Sequence, residues 1–325
     1  MGGIHASRCP EEALKYVDCV VIGEAETVWG QLLADFEAGK LQRIYRGSFT
    51  ELHHQPIPRH DIQHPLYVWR SVQTSRGCPM NCDFCSVTSF NGGMYRPRPI
   101  PEVIEELKKF HGDRRNIFFV DDNIGGITQQ HRERAKELFR AIIDSGMKFN
   151  WFSQTSVDFA DDPEAVLLAA KSGCKMLLVG FETESADALK SAGKKNNLRK
   201  GSENYHHIIR NYQKAGIAVF GTFIFGMETD TAESITARAR FINKLNVDCI
   251  QTSILTPYPG TKLAKRMEEE GRIACNNFPH DWQYYNWEDI VIHHPLIPSG
   301  ELALRMTHAW ESMYQIGRAS CRERV

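Results

Sequence analysis

Between Tyr67 and Gly271 a short apolar stretch is followed by an amphipathic one six times, and this alternation limits the fold more than any other feature. The apolar stretches are "YVWRSVQTS", "NIFFVDD", "FNWFSQTS", "CKMLLVGFE", "AVFGTFIFG" and "DCIQTSILT". The amphipathic ones are "IPEVIEELKKF", "TQQHRERAKELFRAIIDSG", "DPEAVLLAAKSG", "NYHHIIRNYQKAG", "TAESITARARFINKL" and "GTKLAKRMEEEG". Strand–helix units in series pair in parallel through right-handed crossovers. The class is therefore α/β, as a doubly wound sheet or a partial barrel. A chain of 325 residues, 42% hydrophobic and 24% charged, has material for about two domains.

The loop after the first strand carries the chemistry. "SRGCPMNCDFCSV", residues 75–87, holds Cys78, Cys82 and Cys85 in a Cys-x3-Cys-x2-Cys spacing. In parallel α/β folds, sites form at the carboxyl ends of strands. Clustered thiolates suit an iron–sulfur cluster or zinc. A four-iron cubane has one iron more than three cysteines ligate, so one iron stays open to another ligand. Zinc instead asks for a closed set of four, and His53, His54, His60 or His64 lies near enough in sequence to complete it. Leaving aside Cys321 in the last ten residues, the remaining cysteines, Cys9, Cys19, Cys174, Cys249 and Cys275, are unevenly spread and read as buried thiols rather than a disulfide framework.

This spacing at this place resembles the radical SAM superfamily. The resemblance implies that the three cysteines hold a 4Fe-4S cluster whose open iron chelates S-adenosylmethionine. One electron then cleaves the sulfonium and yields a 5′-deoxyadenosyl radical. Phe84, between the second and third cysteines, matches an aromatic common there. A reducing partner such as flavodoxin or ferredoxin, a small-molecule substrate and a cytoplasmic location are implied with it.

The resemblance covers roughly residues 71–272, a partial (β/α)6 TIM-like barrel, and runs strand by strand. After the second strand, Asp121, Asp122 and Asn123 occupy the family's segment that meets the methionine amino group; a turn and helix cap reads equally well. The third strand ends with Ser153, Gln154 and Thr155, polar groups for a ligand or for a simple turn. Glu182 ends the fourth strand, where a carboxylate after "MLLVGF" is costly to bury without a partner. Gly226, on the fifth strand, and Leu255, after the sixth, match positions near the adenine. The basic stretch "KSAGKKNNLRKG" reads as a solvated loop rather than a phosphate site.

The amino-terminal residues 1–46 resemble the second half of a Rossmann-like cobalamin-binding domain that precedes the radical SAM domain in one subgroup. Gly2, Gly3, Gly23 and Glu24 match positions near the corrinoid's nucleotide tail, and glycine suits the close approach of a bulky ligand. The abrupt start reads as an internal methionine, with the first half of that domain absent. Residues 47–70, rich in His and Pro, are expected to be a linker, and residues 273–315 a cap with one helix. The last ten, Ile316 to Val325, resemble a translated sequencing adapter and are expected to be a non-native tail.

A net charge of −1 gives no reason to expect nucleic acid, and no stretch is long enough to span a bilayer. The functional expectation is a radical SAM enzyme that transfers a methyl group or closes a ring at an unreactive carbon of a lipid, tetrapyrrole or natural product, with cobalamin relaying the methyl group. The alternatives are a cobalamin-independent radical SAM oxidoreductase and a zinc-stabilised binding protein without catalysis.

Overall fold

The alternation is realised strand by strand in a computed structural model, which describes residues 1–314 except 65, 111 and 114. The expected tail, residues 316–325, lies outside the described residues. The amino-terminal segment holds α1 (Ile4–Arg8), α2 (Pro10–Ala13), β1 (Val20–Ile22), α3 (Trp29–Glu37) and β2 (Ile44–Arg46), with β1 and β2 paired in parallel. The alternating region opens with β3 (Trp69–Val72). A two-residue antiparallel pair, β4 (Ser75–Arg76) with β5 (Arg96–Pro97), brackets α4 (Ser86–Asn91). Then come α5 (Ile100–Lys108), β6 (Asn116–Phe119), α6 (Gln129–Asp144), β7 (Trp151–Thr155), α7 (Pro163–Lys171) and β8 (Cys174–Glu182). After β8 the chain makes α8 (Ala186–Ser191), α9 (Lys195–Lys200), α10 (Tyr205–Lys214), β9 (Ala218–Phe225), α11 (Ala232–Leu245), β10 (Cys249–Ile254) and α12 (Lys262–Glu269). The cap ends in α13 (Ser299–Met313).

The main sheet runs β3-β6-β7-β8-β9-β10, all parallel and in chain order. That order never reverses, so same-handed crossovers put the helices on one face. This decides for the partial barrel and against the doubly wound sheet. Alternate strand residues follow the division. Ile117, Phe119, Trp151, Leu177, Val179 and Val219 join Leu107, Leu138, Phe139, Ile208 and Ile242 of the helices in one buried core. The residues between them face the other way. Local signals set the helix starts: Thr128 Oγ1 accepts from the His131 N–H ahead of α6, and Thr231 with Ser234 makes a capping box on α11.

The amino-terminal segment is docked, not free. Arg96 forms a two-pronged pair with Glu24, and Arg76 adds a contact at 3.2 Å. On the other side, Trp282 of the cap donates its indole N–H to Glu12 at 2.9 Å. Both anchors lie by the carboxyl ends of the strands, one on β5 beside the cysteine loop and one beyond β10. Trp29, Leu33 and Phe36 of α3 stay exposed. Within the expected linker, Leu52 is fully buried and His60 bonds Glu106 at 2.8 Å, so this stretch is packed against the barrel; β3 begins inside it, at Trp69. Among the described residues no helix is long and apolar enough to cross a membrane.

Candidate active site

β3 ends at Val72, and the chain reaches the cysteines through Gly77, whose φ is +88°. A Cβ there would lie 2.3 Å from the Met94 carbonyl oxygen, so glycine alone fits. The Gly77 N–H donates to Asp122 at 2.8 Å, which ties the loop to the end of β6. The Asp83 N–H donates to the Ala192 carbonyl at 3.0 Å, and its own carbonyl accepts from the Leu263 N–H at 3.0 Å. The loop is thus stitched to three elements of the barrel before any ligand arrives.

Cys78, Cys82 and Cys85 line one cavity of about 480 Å³ at the carboxyl ends of the strands. The same walls carry Asp122, Asn123, Gln154, Thr155, Glu182 and Leu255 from the sequence reading. All three thiols are free. Burial pushes their pKa values up, that of Cys78 to about 11. Thiolates here therefore need a cationic centre to stabilise them. Burial also raises the carboxyl of Asp122. Among the described residues no three His, Cys, Asp or Glu side chains converge on a point as a single ion requires. No histidine lines the cavity. The donor set fits a multi-iron cluster with an open iron, and among the described residues no histidine or fourth cysteine at the cavity completes a zinc site.

Glu182 reaches the cavity through a special backbone. The register of β8 against β9 shifts between Gly180 and Glu182, and Glu182 has φ +63°. Such a conformation in a residue other than glycine is held only by its surroundings. Here Lys194 holds it through an ion pair. Burial works against the Lys194 charge, but Glu182 outweighs it and keeps the ammonium protonated. Lys194 also stands 5.8 Å from the Phe84 ring centre. It belongs to the stretch read as a solvated loop; the structure corrects that reading, because Lys194 turns inward to Glu182 and, in α9, the buried Asn197 donates to the Gly180 and Phe181 carbonyls and Asn196 to Asp158. Tyr258 and Trp287, which also line the cavity, had no signal in the sequence.

Three expected residues lie elsewhere. Asp121 is buried and accepts from the Thr74 N–H, Thr74 Oγ1 and Ser75 Oγ, each at 2.6 Å, so it fixes the strand end. Strand alternation turns Ser153 outward, where its hydroxyl donates to the Phe119 carbonyl at 2.8 Å. Gly226 makes the turn after β9 with φ +69°, and Leu302 of α13 stands 3.4 Å from where its Cβ would be.

The four amino-terminal positions divide. Gly3 has φ +94° and open space where a Cβ would point. Gly2 faces Val21 at 3.8 Å. At Gly23 the space is filled by the Gly47 carbonyl oxygen, 2.7 Å away, so a backbone crossing accounts for this glycine. Glu24 is spent on Arg96, Arg76 and Thr50. Of the four, only Gly3 leaves open space beside its backbone, so these residues fit cobalamin in part.

Known proteins resemble the chain in sequence and in fold. The family described as the radical SAM superfamily matches residues 72–242. Bacteriochlorophyllide d C-8(2)-methyltransferase of Chlorobaculum tepidum is 30% identical over 310 residues, 90% of this chain and 66% of that protein. Hopanoid C-2 methylase of Rhodopseudomonas palustris is 27% identical over 312 residues, 90% of this chain and 58% of that one. The chain thus spans about two thirds or less of these relatives. In fold, the radical S-adenosylmethionine methyltransferase TsrM of Kitasatospora setae, solved with cobalamin and a 4Fe-4S cluster bound, superposes with a TM-score of 0.70 at 18% identity, over 83% of this chain and 59% of that one. The matched region covers more than half of the sequence and takes in the cysteine loop that lines the cavity, and by that match the chain belongs to the radical SAM superfamily.

Proposed function

We propose that this chain is the catalytic part of an enzyme that functionalises an unactivated carbon of a large polycyclic molecule, by methyl transfer or cyclisation. The observation that carries the reading is that Cys78, Cys82 and Cys85 line one cavity to which, among the described residues, no histidine and no fourth cysteine is added. The three thiolates hold three irons of a 4Fe-4S cluster and leave the fourth to S-adenosylmethionine. When bound, the cluster supplies the electron that cleaves the sulfonium. The Glu182–Lys194 pair and Gln154 offer charged and polar contacts to the methionine and ribose parts, and Leu255 with Ile254 gives an apolar wall for the adenine. Tyr258 and Trp287 restrict water at the rim. The relatives' named substrates, a bacteriochlorophyllide and a hopanoid, support the polycyclic class. A small reducing protein such as flavodoxin or ferredoxin, and a cytoplasmic location, complete the reading.

A second reading, a cobalamin-independent radical SAM oxidoreductase, rests on Gly23 and Glu24 being engaged within the protein. Anaerobic reconstitution with iron and sulfide, followed by S-adenosylmethionine, dithionite and an excess of hydroxocobalamin as methyl acceptor, tests both. S-adenosylhomocysteine beside 5′-deoxyadenosine supports methyl transfer, and 5′-deoxyadenosine alone supports cyclisation or the second reading. Formation of neither 5′-deoxyadenosine nor S-adenosylhomocysteine would overturn the proposal.

A further inference from the structure

The sheet face that carries no helices continues below the cavity, and there it is aromatic. Gln154 and Leu178 line the cavity. Two residues toward the amino ends of the same strands, about 7 Å away, stand Phe152 and Met176, which pair in register, and Phe118 pairs with Phe152 from β6. Phe118 and Phe152 stack with centroids 4.2 Å apart and planes 1° from parallel. Trp69 meets Phe152 edge-on at 4.4 Å. None of these belongs to the core between sheet and helices, and Trp69 is 38% exposed. Their register partners Ser71, Asn116 and Ala218 carry no charge.

Rings stacked across neighbouring strands turn their edges to the groove. An aromatic edge is the positive end of the ring quadrupole and attracts the face of a conjugated system, which a saturated ring does not offer. At the amino ends, Asn116, opposite Trp69, also lines a basin of about 600 Å³. Among the described residues, the charged side chains of that basin are Asp113, Arg115, Lys148, Lys171 and Lys175. Asp113 pairs with Arg115 and with Arg70, so the basin's balance is positive.

We infer that the substrate is a flat conjugated macrocycle with peripheral carboxylates, a carboxylated tetrapyrrole, its ring lying on Phe118, Phe152 and Trp69 and its carboxylates reaching toward the basic basin. This inference deepens the proposed function and rests on it. The platform meets the cluster cavity through Gln154 and Leu178, which places a bound ring within reach of the chemistry.

Titration of the full chain with free-base protoporphyrin IX, followed by its absorbance band and by tryptophan quenching, tests it. Protoporphyrin IX should bind at least tenfold more tightly than lithocholate, a saturated four-ring carboxylate. The Phe118→Leu/Phe152→Leu variant keeps apolar area and removes the rings, and it should lose at least tenfold in porphyrin affinity with its melting temperature retained. The Lys148→Ala/Lys175→Ala variant should weaken binding of the diacid and leave its dimethyl ester unchanged. Equal binding of lithocholate, an unaltered affinity in the leucine variant, or a concentration-dependent dimer that excludes porphyrin would each overturn the inference. The titration needs no cluster, so failure of the proposed function shows separately, as absence of S-adenosylmethionine-derived products.

Discussion

Lys194 and Glu182 form an ion pair that leaves no room for a side chain at position 180: a Cβ on Gly180 would lie 2.5 Å from Glu182 Oε1 and 3.0 Å from Lys194 Nζ. The pair faces the cavity that holds the three cysteines. One glycine thus lets β8 end with a charged couple folded back over its own backbone.

Replacing Gly180 by Ala should push this couple aside. The expected result is a rise of about tenfold in the S-adenosylmethionine concentration needed for half-maximal cleavage, equivalent to about 1.4 kcal/mol. Steady-state product formation by the reconstituted chain measures it. An unchanged concentration dependence would show that the couple does not touch the cosubstrate.

Removing one partner of the couple is costlier than removing both. Lys194→Met leaves the Glu182 carboxylate buried without its cation, and the expected loss is about 3 kcal/mol in denaturant unfolding. Adding Glu182→Gln to that variant should restore more than half of the loss. Equal stability of the single and double variants would contradict the pairing.

Arg96 anchors the amino-terminal segment to the barrel through Glu24. Burial works against the Glu24 charge, but hydrogen bonds from Arg96 and from the Thr50 backbone outweigh it and hold the carboxyl below its ordinary value of 4.5. A lowered folded value means that the anchor contributes fully above pH 4.5 and is lost as the pH falls through the lowered value. Hydrogen exchange of residues 1–46, corrected for intrinsic rates, should therefore speed up under acid before the barrel does. Arg96→Ala should produce the same loosening at neutral pH and leave iron content unchanged. Loss of iron together with the anchor would show that the segment supports the cluster loop.

The partly fitting amino-terminal glycines bear on cobalamin. With Gly23 filled by Gly47 and Glu24 spent on Arg96, equilibrium dialysis of this chain against hydroxocobalamin should show only weak, substoichiometric binding. Tight one-to-one binding would show that the Gly2–Gly3 turn and its surroundings suffice.

The strands and helices were legible because each strand is an apolar run and each helix an amphipathic one, whereas the choice of partial barrel over doubly wound sheet lies in the strand order, which periodicity does not carry. The cysteine loop was legible because thiol spacing is local. Side-chain direction was less so. Asp121 and Asp122 are neighbours, yet one is sealed into Thr74 and Ser75 and the other faces the cavity. Ser153 and Gln154 divide the same way, by one step of the strand. Lys194 was hidden in a basic stretch because its inward turn depends on Glu182, twelve residues earlier. The short β2, α8 and α9 carry too few residues for a period to register.

Three cysteines, with no further protein ligand, are proposed to hold a four-iron cluster. Iron analysis with electron paramagnetic resonance of the anaerobically reconstituted, reduced chain tests it most directly. The expected result is about four irons per chain, a spectrum that shifts when S-adenosylmethionine is added, and loss of both on replacing any one of Cys78, Cys82 or Cys85 by Ala. One zinc per chain, or full iron retained by the triple alanine variant, would contradict it.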